Sequence, residues 1–83
     1  MKNAISPAQS RAARGLLNWS RDKLAEVGGV PARTVADFEL GNTVPRASTT
    51  AKLVTALEAA GVIFVDENGE GPGVRLKKSF RDN

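Results

Sequence analysis

The side chains with evident chemistry in this 83-residue sequence are its charged ones, because Cys, His and Tyr are all absent. There is no imidazole or thiol side chain to act as base or nucleophile near neutral pH. A thiolate or imidazole metal site is excluded on the same ground. The nine acids are scattered over helix-like segments, one turn and the C-terminal tail. The glycines lack the spacing of a phosphate-binding loop. Catalysis is not expected, and no cofactor is implied. What remains is recognition through charge and hydrogen bonding. Arg33 carries a planar guanidinium fork, whose geometry matches guanine O6 and N7 or a pair of phosphate oxygens. Asp37 stands four residues later, where one turn of helix brings the two together. Arg21, Lys23, Arg46 and Lys52 lie on either side of this pair, within residues 21–52.

Those residues need elements to position them. Ser6-Pro7 reads as a helix start, with Ser6 as N-cap and Pro7 at the first helical position. The helix runs to about Asn18. Ala8, Ala12, Leu16 and Trp19 recur on one face, with Ala13 and Leu17 beside them. Gly15 interrupts it and marks a close helix contact. Ser20 caps a second helix with Asp22 in its first turn and Leu24, Ala25 and Val27 facing inward. Gly28-Gly29 stops it, Val30 is an anchor in the turn, and Pro31 restarts a helix. Residues 32–40 form that third helix, with Val35 and Phe38 inside and Gly41 at its end. After a loop, Ser48 or Thr49 caps a fourth helix reaching about Ala60. Gly61 ends it as a left-handed residue. The period then changes. The run 62–65 is β-branched and aromatic, 67–69 is a turn signal, and 74–77 alternates apolar with basic. A two-stranded hairpin follows, which must pack on the helices or on a partner. Met1 to Ile5 reads as a frayed arm. The expected organisation is one domain: a helical core over 6–61, a hairpin over 62–78 and a polar tail over 79–83.

The charge is distributed unevenly. The net charge is +3. Residues 1–57 hold 8 basic and 4 acidic side chains, residues 58–72 hold four acids and no base, and residues 73–83 hold four bases and one acid. A positive helical half attracts phosphate. No apolar run approaches the about 20 residues of a membrane span, and the N-terminus lacks a signal-peptide apolar region. A cytoplasmic location without membrane contact is expected.

Two short helices joined at a glycine turn are a common device for placing one helix in the DNA major groove. The pieces LNWSRDKLAEVGGV, PARTVADFELG and, after Pro45, KLVTALEAAGV resemble the phage-repressor-like helix-turn-helix family, also called XRE or Cro/cI-like. Leu24-Ala25, Gly29-Val30, Thr34-Val35 and Glu39-Leu40-Gly41 fit its pattern. The tail VIFVDENGEGPGVRLKK also looks like that of small bacterial members. The resemblance covers residues 6–78. It implies a mainly α fold, a four-helix lambda-repressor-like helix-turn-helix domain followed by a C-terminal β-hairpin. It also implies sequence-specific binding of double-stranded DNA by a transcriptional regulator, a repressor in the first instance. Three positions depart from the family. Arg21 stands where Gln is common, Pro31 where Ser or Thr is common, and Thr50 where Leu or Ile is usual.

On this reading Ala32, Arg33, Thr34, Ala36 and Asp37 form the base-reading set. Arg33 is the best reader. Ala32 or Ala36 suits a thymine methyl. Asp37 either accepts from cytosine N4 or orients Arg33, and the competing assignment for both is a plain surface ion pair. Arg21, Lys23, Asn42, Thr43, Arg46 and Lys52 form the phosphate-contacting set, which fixes register without reading bases. Asn42 is as well explained as a turn residue. Glu39 is not a reader. Its place beside the glycine turn implies an intramolecular link to Arg14 or another base of the first helix. Trp19 suits the core better than a stacking platform.

One recognition helix contacts few base pairs, so a homodimer on paired half-sites is expected. Ile63, Phe64, Val65, Val74 and Leu76 are the candidate dimer interface, through sheet extension or packing. Alternatively the hairpin caps its own helices, and the first or fourth helix supplies the contact. A second class of function is a protein-interaction or antitoxin-like regulatory module that uses the hairpin or a helix face to hold a second regulatory protein.

Overall fold

A computed structural model describes residues 5–77. Four helices precede a hairpin: α1 Pro7–Leu17, α2 Arg21–Gly28, α3 Ala32–Glu39, α4 Ala47–Ala59, β1 Val62–Val65 and β2 Gly73–Leu76. The architecture is mainly helical with a C-terminal antiparallel hairpin, as the sequence pattern predicts. The polar tail expected over 79–83 lies outside the described residues.

Local chemistry accounts for the ends of α1 and α2. Ser6 and Gln9 form a reciprocal capping box. The Gln9 amide N–H donates to Ser6 Oγ, and the Ser6 N–H donates to Gln9 Oε1, both at 3.0 Å. Asn18 takes a left-handed φ of 61° and closes α1. Ser20 Oγ accepts from the Lys23 N–H at 3.0 Å and starts α2. Gly29, at φ 69°, reverses the chain after α2, a conformation that a β-carbon disfavours. Neither α3 nor α4 has a side-chain cap. The expected capping of α4 by Ser48 or Thr49 is therefore corrected. The helix begins at Ala47, with Arg46 extended before it and Ser48 and Thr49 already inside the first turn.

The core is built from Ala13, Leu24, Ala25, Val30, Val35, Phe38, Leu53, Val54, Ala56, Leu57, Val62 and Phe64, with Leu17 and Trp19 packed at its margin. Ile5 belongs to it as well, so the frayed arm does not extend that far. Two helix faces differ from expectation. On α1, Ala8 and Ala12 are exposed and Leu16 is 44 % exposed, while Gln9 and Ser10 are buried. Each of those polar groups has a specific partner, which removes the penalty for burying it. On α2, Val27 is exposed. Gly28 instead faces α4, where an added β-carbon would lie 3.4 Å from Leu53 Cδ2. Gly15 is not a close-contact glycine, since nothing lies within 4 Å of a β-carbon built there.

The hairpin docks on its own chain. Val62 pairs with Leu76, Ile63 with Arg75, Phe64 with Val74 and Val65 with Gly73. Alternation turns Val62 and Phe64 inward and Ile63 outward. Val74 and Leu76 pack against the helical core. Gln9 Nε2 donates to the Gly73 carbonyl at 3.1 Å and lies 3.5 Å from that of Val65, clamping the start of α1 to the hairpin end.

Candidate nucleic-acid interface

The α2–α3 pair is the element that presents the expected reading face. Val30 in the turn, Val35 and Phe38 are buried and fix the rotation of α3. The opposite side of α3 is consequently outward. Ala32 and Arg33 are exposed, and Thr34, Ala36 and Asp37 are half-buried. The Arg33 side chain is 91 % exposed, and its Nε stands 3.8 Å from Asp37 Oδ2. The two groups expected to meet across one helical turn do so. Asn42 joins them: its N–H donates to the Asp37 carbonyl at 2.9 Å, and its Nδ2 lies 3.5 Å from Asp37 Oδ1.

A buried polar lock sets the pose of α3. Glu39, 2 % exposed, ends the helix. Its carboxylate receives Arg14 twice, with Nη2 to Oε1 at 2.7 Å and Nε to Oε2 at 2.9 Å. Ser10 Oγ donates to Oε2 at 2.6 Å, and Arg11 Nη1 donates to the Glu39 carbonyl. Arg14 Nη1 also reaches the Trp19 carbonyl at 3.0 Å. The expected link from Glu39 to Arg14 is thus present in bidentate form, the arrangement that best offsets the desolvation of two charges. Among the described residues, no buried side-chain polar atom lacks a partner.

A family model for the helix-turn-helix matches residues 11–59, more than half of the chain. The chain belongs to the phage-repressor-like helix-turn-helix family. The match spans most of α1, the α2–α3 pair and α4, and ends before the hairpin. A comparison with curated proteins finds no match. The family's general function, double-stranded DNA binding in transcription regulation, is that of this helix-turn-helix protein. The family is regulatory rather than enzymatic, and no group of His, Cys, Asp and Glu suited to a metal occurs among the described residues. Nor is any helix of the described residues long and apolar enough to cross a membrane.

The basic residues of this regulator fall in different settings. Arg21 is the first residue of α2 and Arg46 the residue preceding α4, both exposed. The first backbone N–H groups of a helix are free to meet an anion. Thr43 is exposed in the loop between α3 and α4. Lys23 stands 4.0 Å from Glu26 on its own helix. Lys52 borders an apolar groove of about 400 Å³ between α2 and α4, beside Val27, Ala51, Thr55 and Ala59. Sequence reasoning missed Gln9 as the clamp between α1 and the hairpin. The signal was present in Ser6-x-x-Gln9, a capping-box spacing. It also missed Leu40 and Val44, 64 % and 97 % exposed, which flank the end of α3. Isolated apolar residues at a turn carry no periodic signal.

Proposed function

We propose that this regulator reads its operator with α3 in the major groove and acts as a repressor by occupying that site. The observation that carries the reading is Arg33. It stands on the face of α3 opposite Val35 and Phe38, almost fully exposed, with its Nε turned toward Asp37. That leaves the two terminal nitrogens as a fork for guanine O6 and N7. Ala32, Thr34 and Ala36 complete the reading face with short side chains that allow close approach. Arg21, Thr43 and Arg46 hold phosphates around it, with Lys23 and Lys52 as weaker members of that set.

The assembly proposed is a two-fold homodimer, since one short helix spans too few base pairs for selectivity. Half-sites would lie about 34–36 Å apart. Phe64, Val74 and Leu76 are packed on the protomer's own helices, so Ile63, Val65 and the strand edges are what the hairpin has left to offer a partner. A second reading, in which the chain also grips another protein, is favoured by the apolar positions Ala8, Ala12 and Leu16 lying outward on α1.

The test is selection of bound sequences from random DNA, followed by Arg33→Ala. A palindromic site is expected, and Arg33→Ala should cost about 1–3 kcal/mol and relax preference at one base pair per half-site. Unchanged preference in Arg33→Ala would refute the assigned reading face.

A further inference from the structure

We propose that Asn42 is a positioning residue for base reading by Arg33, acting through Asp37, and that it is not a phosphate contact. The proposal rests on Arg33 being the reader.

The geometry forms a short relay. Gly41 has a φ of 78°, a left-handed turn that folds the chain back beneath the end of α3. The fold-back brings the Asn42 N–H to the Asp37 carbonyl at 2.9 Å, so the Asn42 backbone is fixed relative to Asp37. From that anchor Asn42 Nδ2 faces Asp37 Oδ1 at 3.5 Å. The other oxygen of the same carboxylate, Oδ2, faces Arg33 Nε at 3.8 Å. A carboxylate only accepts, and the NH₂ end of an amide only donates, so Asn42 and Arg33 divide the two oxygens between them. Asp37 is half-buried, whereas Arg33 has no other polar side-chain contact among the described residues. An unrestrained arginine samples many rotamers, and ordering it on binding costs affinity. A carboxylate held on one side by Asn42 limits that sampling and presents the Arg33 fork in one orientation. A phosphate role would instead need Nδ2 to leave Asp37.

The two roles differ in what they do to selectivity. Loss of a phosphate contact weakens all sequences alike. Loss of a positioning contact lowers the preference for the base that Arg33 reads. The experiment measures binding of the full chain to its selected site, and to that site with the Arg33 base pair replaced. The variants are Asn42→Ala, Asn42→Asp, Asp37→Ala, the double variant Asn42→Ala/Asp37→Ala and Arg33→Ala, each checked for an unchanged melting temperature. Asn42→Ala should reduce the preference ratio about 3- to 10-fold, the effect of one hydrogen bond. Asn42→Asp, which puts a second carboxylate against the first, should reduce it further. In the Asp37→Ala background, Asn42→Ala should change nothing more. Uniform weakening on both sites, with the preference ratio unchanged, would overturn the proposal and make Asn42 a phosphate ligand. An effect of Asn42→Ala that persists without Asp37 would also overturn it. If Arg33→Ala leaves the preference intact, the reading of α3 fails and the relay fails with it. If Arg33→Ala abolishes the preference and Asn42→Ala does not alter it, only the relay fails.

Discussion

Removing either end of the Arg14–Glu39 pair should destabilise the fold, and the two ends should not cost the same. Arg14→Ala leaves the Glu39 carboxylate, whose side chain is 1 % exposed, with Ser10 as its one remaining donor and no directly paired charge, since Arg11 reaches only the Glu39 backbone carbonyl. Breaking a buried pair in this way costs about 3–5 kcal/mol. Glu39→Ala leaves a guanidinium that is 18 % exposed and still donates to the Trp19 carbonyl. It can reach water, so the loss should be smaller, about 1–3 kcal/mol. Replacing both partners by apolar groups, as in Arg14→Met/Glu39→Leu, strands no charge and should cost less than Arg14→Ala alone. Urea unfolding followed by tryptophan fluorescence reads this directly, because Trp19 is the single tryptophan and contacts Arg14. At an m-value of about 1 kcal/mol/M, a 3 kcal/mol loss moves the midpoint by about 3 M. That is a large part of the stability of a domain this small. If Glu39→Ala proves as costly as Arg14→Ala, or if the double replacement is the worst of the three, the argument from stranded charge is wrong.

Gly15→Ala should raise stability by about 0.5–1 kcal/mol, because Gly15 lies within α1 and a β-carbon there meets nothing; no gain in melting temperature would point to an occupied surface. Gln9→Ala removes half of the capping box and the hairpin clamp together, and should cost about 1–2 kcal/mol with faster amide exchange in β2 than in α3. Gly28→Val should be more destabilising than Gly29→Asn, since a β-carbon at Gly28 would lie 3.4 Å from Leu53 Cδ2 whereas one at Gly29 meets nothing and the position needs only a residue that tolerates positive φ; thermal melts rank the two. Arg21→Ala should weaken binding to all DNA sequences alike and lower the salt slope by about one; a change confined to one base pair would make Arg21 a reader.

The helical half was readable because its punctuation is local. Ser6-Pro7, Ser20 and the glycines at 28–29, 41 and 61 act through the conformation of a few residues, and each sits at or within a residue or two of a helix end. The rotation of α3 was readable for a similar reason. Val35 and Phe38 leave one choice for the inner face of an eight-residue helix. The rotation of α1 was not. Its sequence offers alanines around much of the helix, and alanine carries too little apolar area to choose between faces. The choice was made by Gln9, Ser10 and Arg14, whose partners lie 25 to 64 residues away. A polar residue reads as surface until its distant partner is known. The hairpin was visible as a change of period, but its inward face depended on which strand residues met α1 and α4.

Glu39 and Asn42 together explain how α3, the proposed reading helix, is held in place with only eight residues. An isolated helix of this length would be unstable in water. Here α3 is held by its apolar face on Val30 and the core, by Glu39 on Arg14 and Ser10 of α1, and by the Asn42 N–H on the Asp37 carbonyl. The first contact fixes rotation, the second fixes the helix against α1, and the third closes its last turn. Base reading tolerates little error, because a bidentate contact requires both hydrogen bonds at once. The Arg14–Glu39 lock therefore has a functional consequence as well as a stabilising one. A variant such as Arg14→Met/Glu39→Leu, even where its melting temperature survives, frees α3 to shift against α1. Its discrimination between the selected site and a single-base variant should fall while its binding to non-specific DNA, proposed to rest on Arg21 and Arg46 at the helix starts, is kept. Equal discrimination in that variant would mean that the apolar face alone sets the pose of α3.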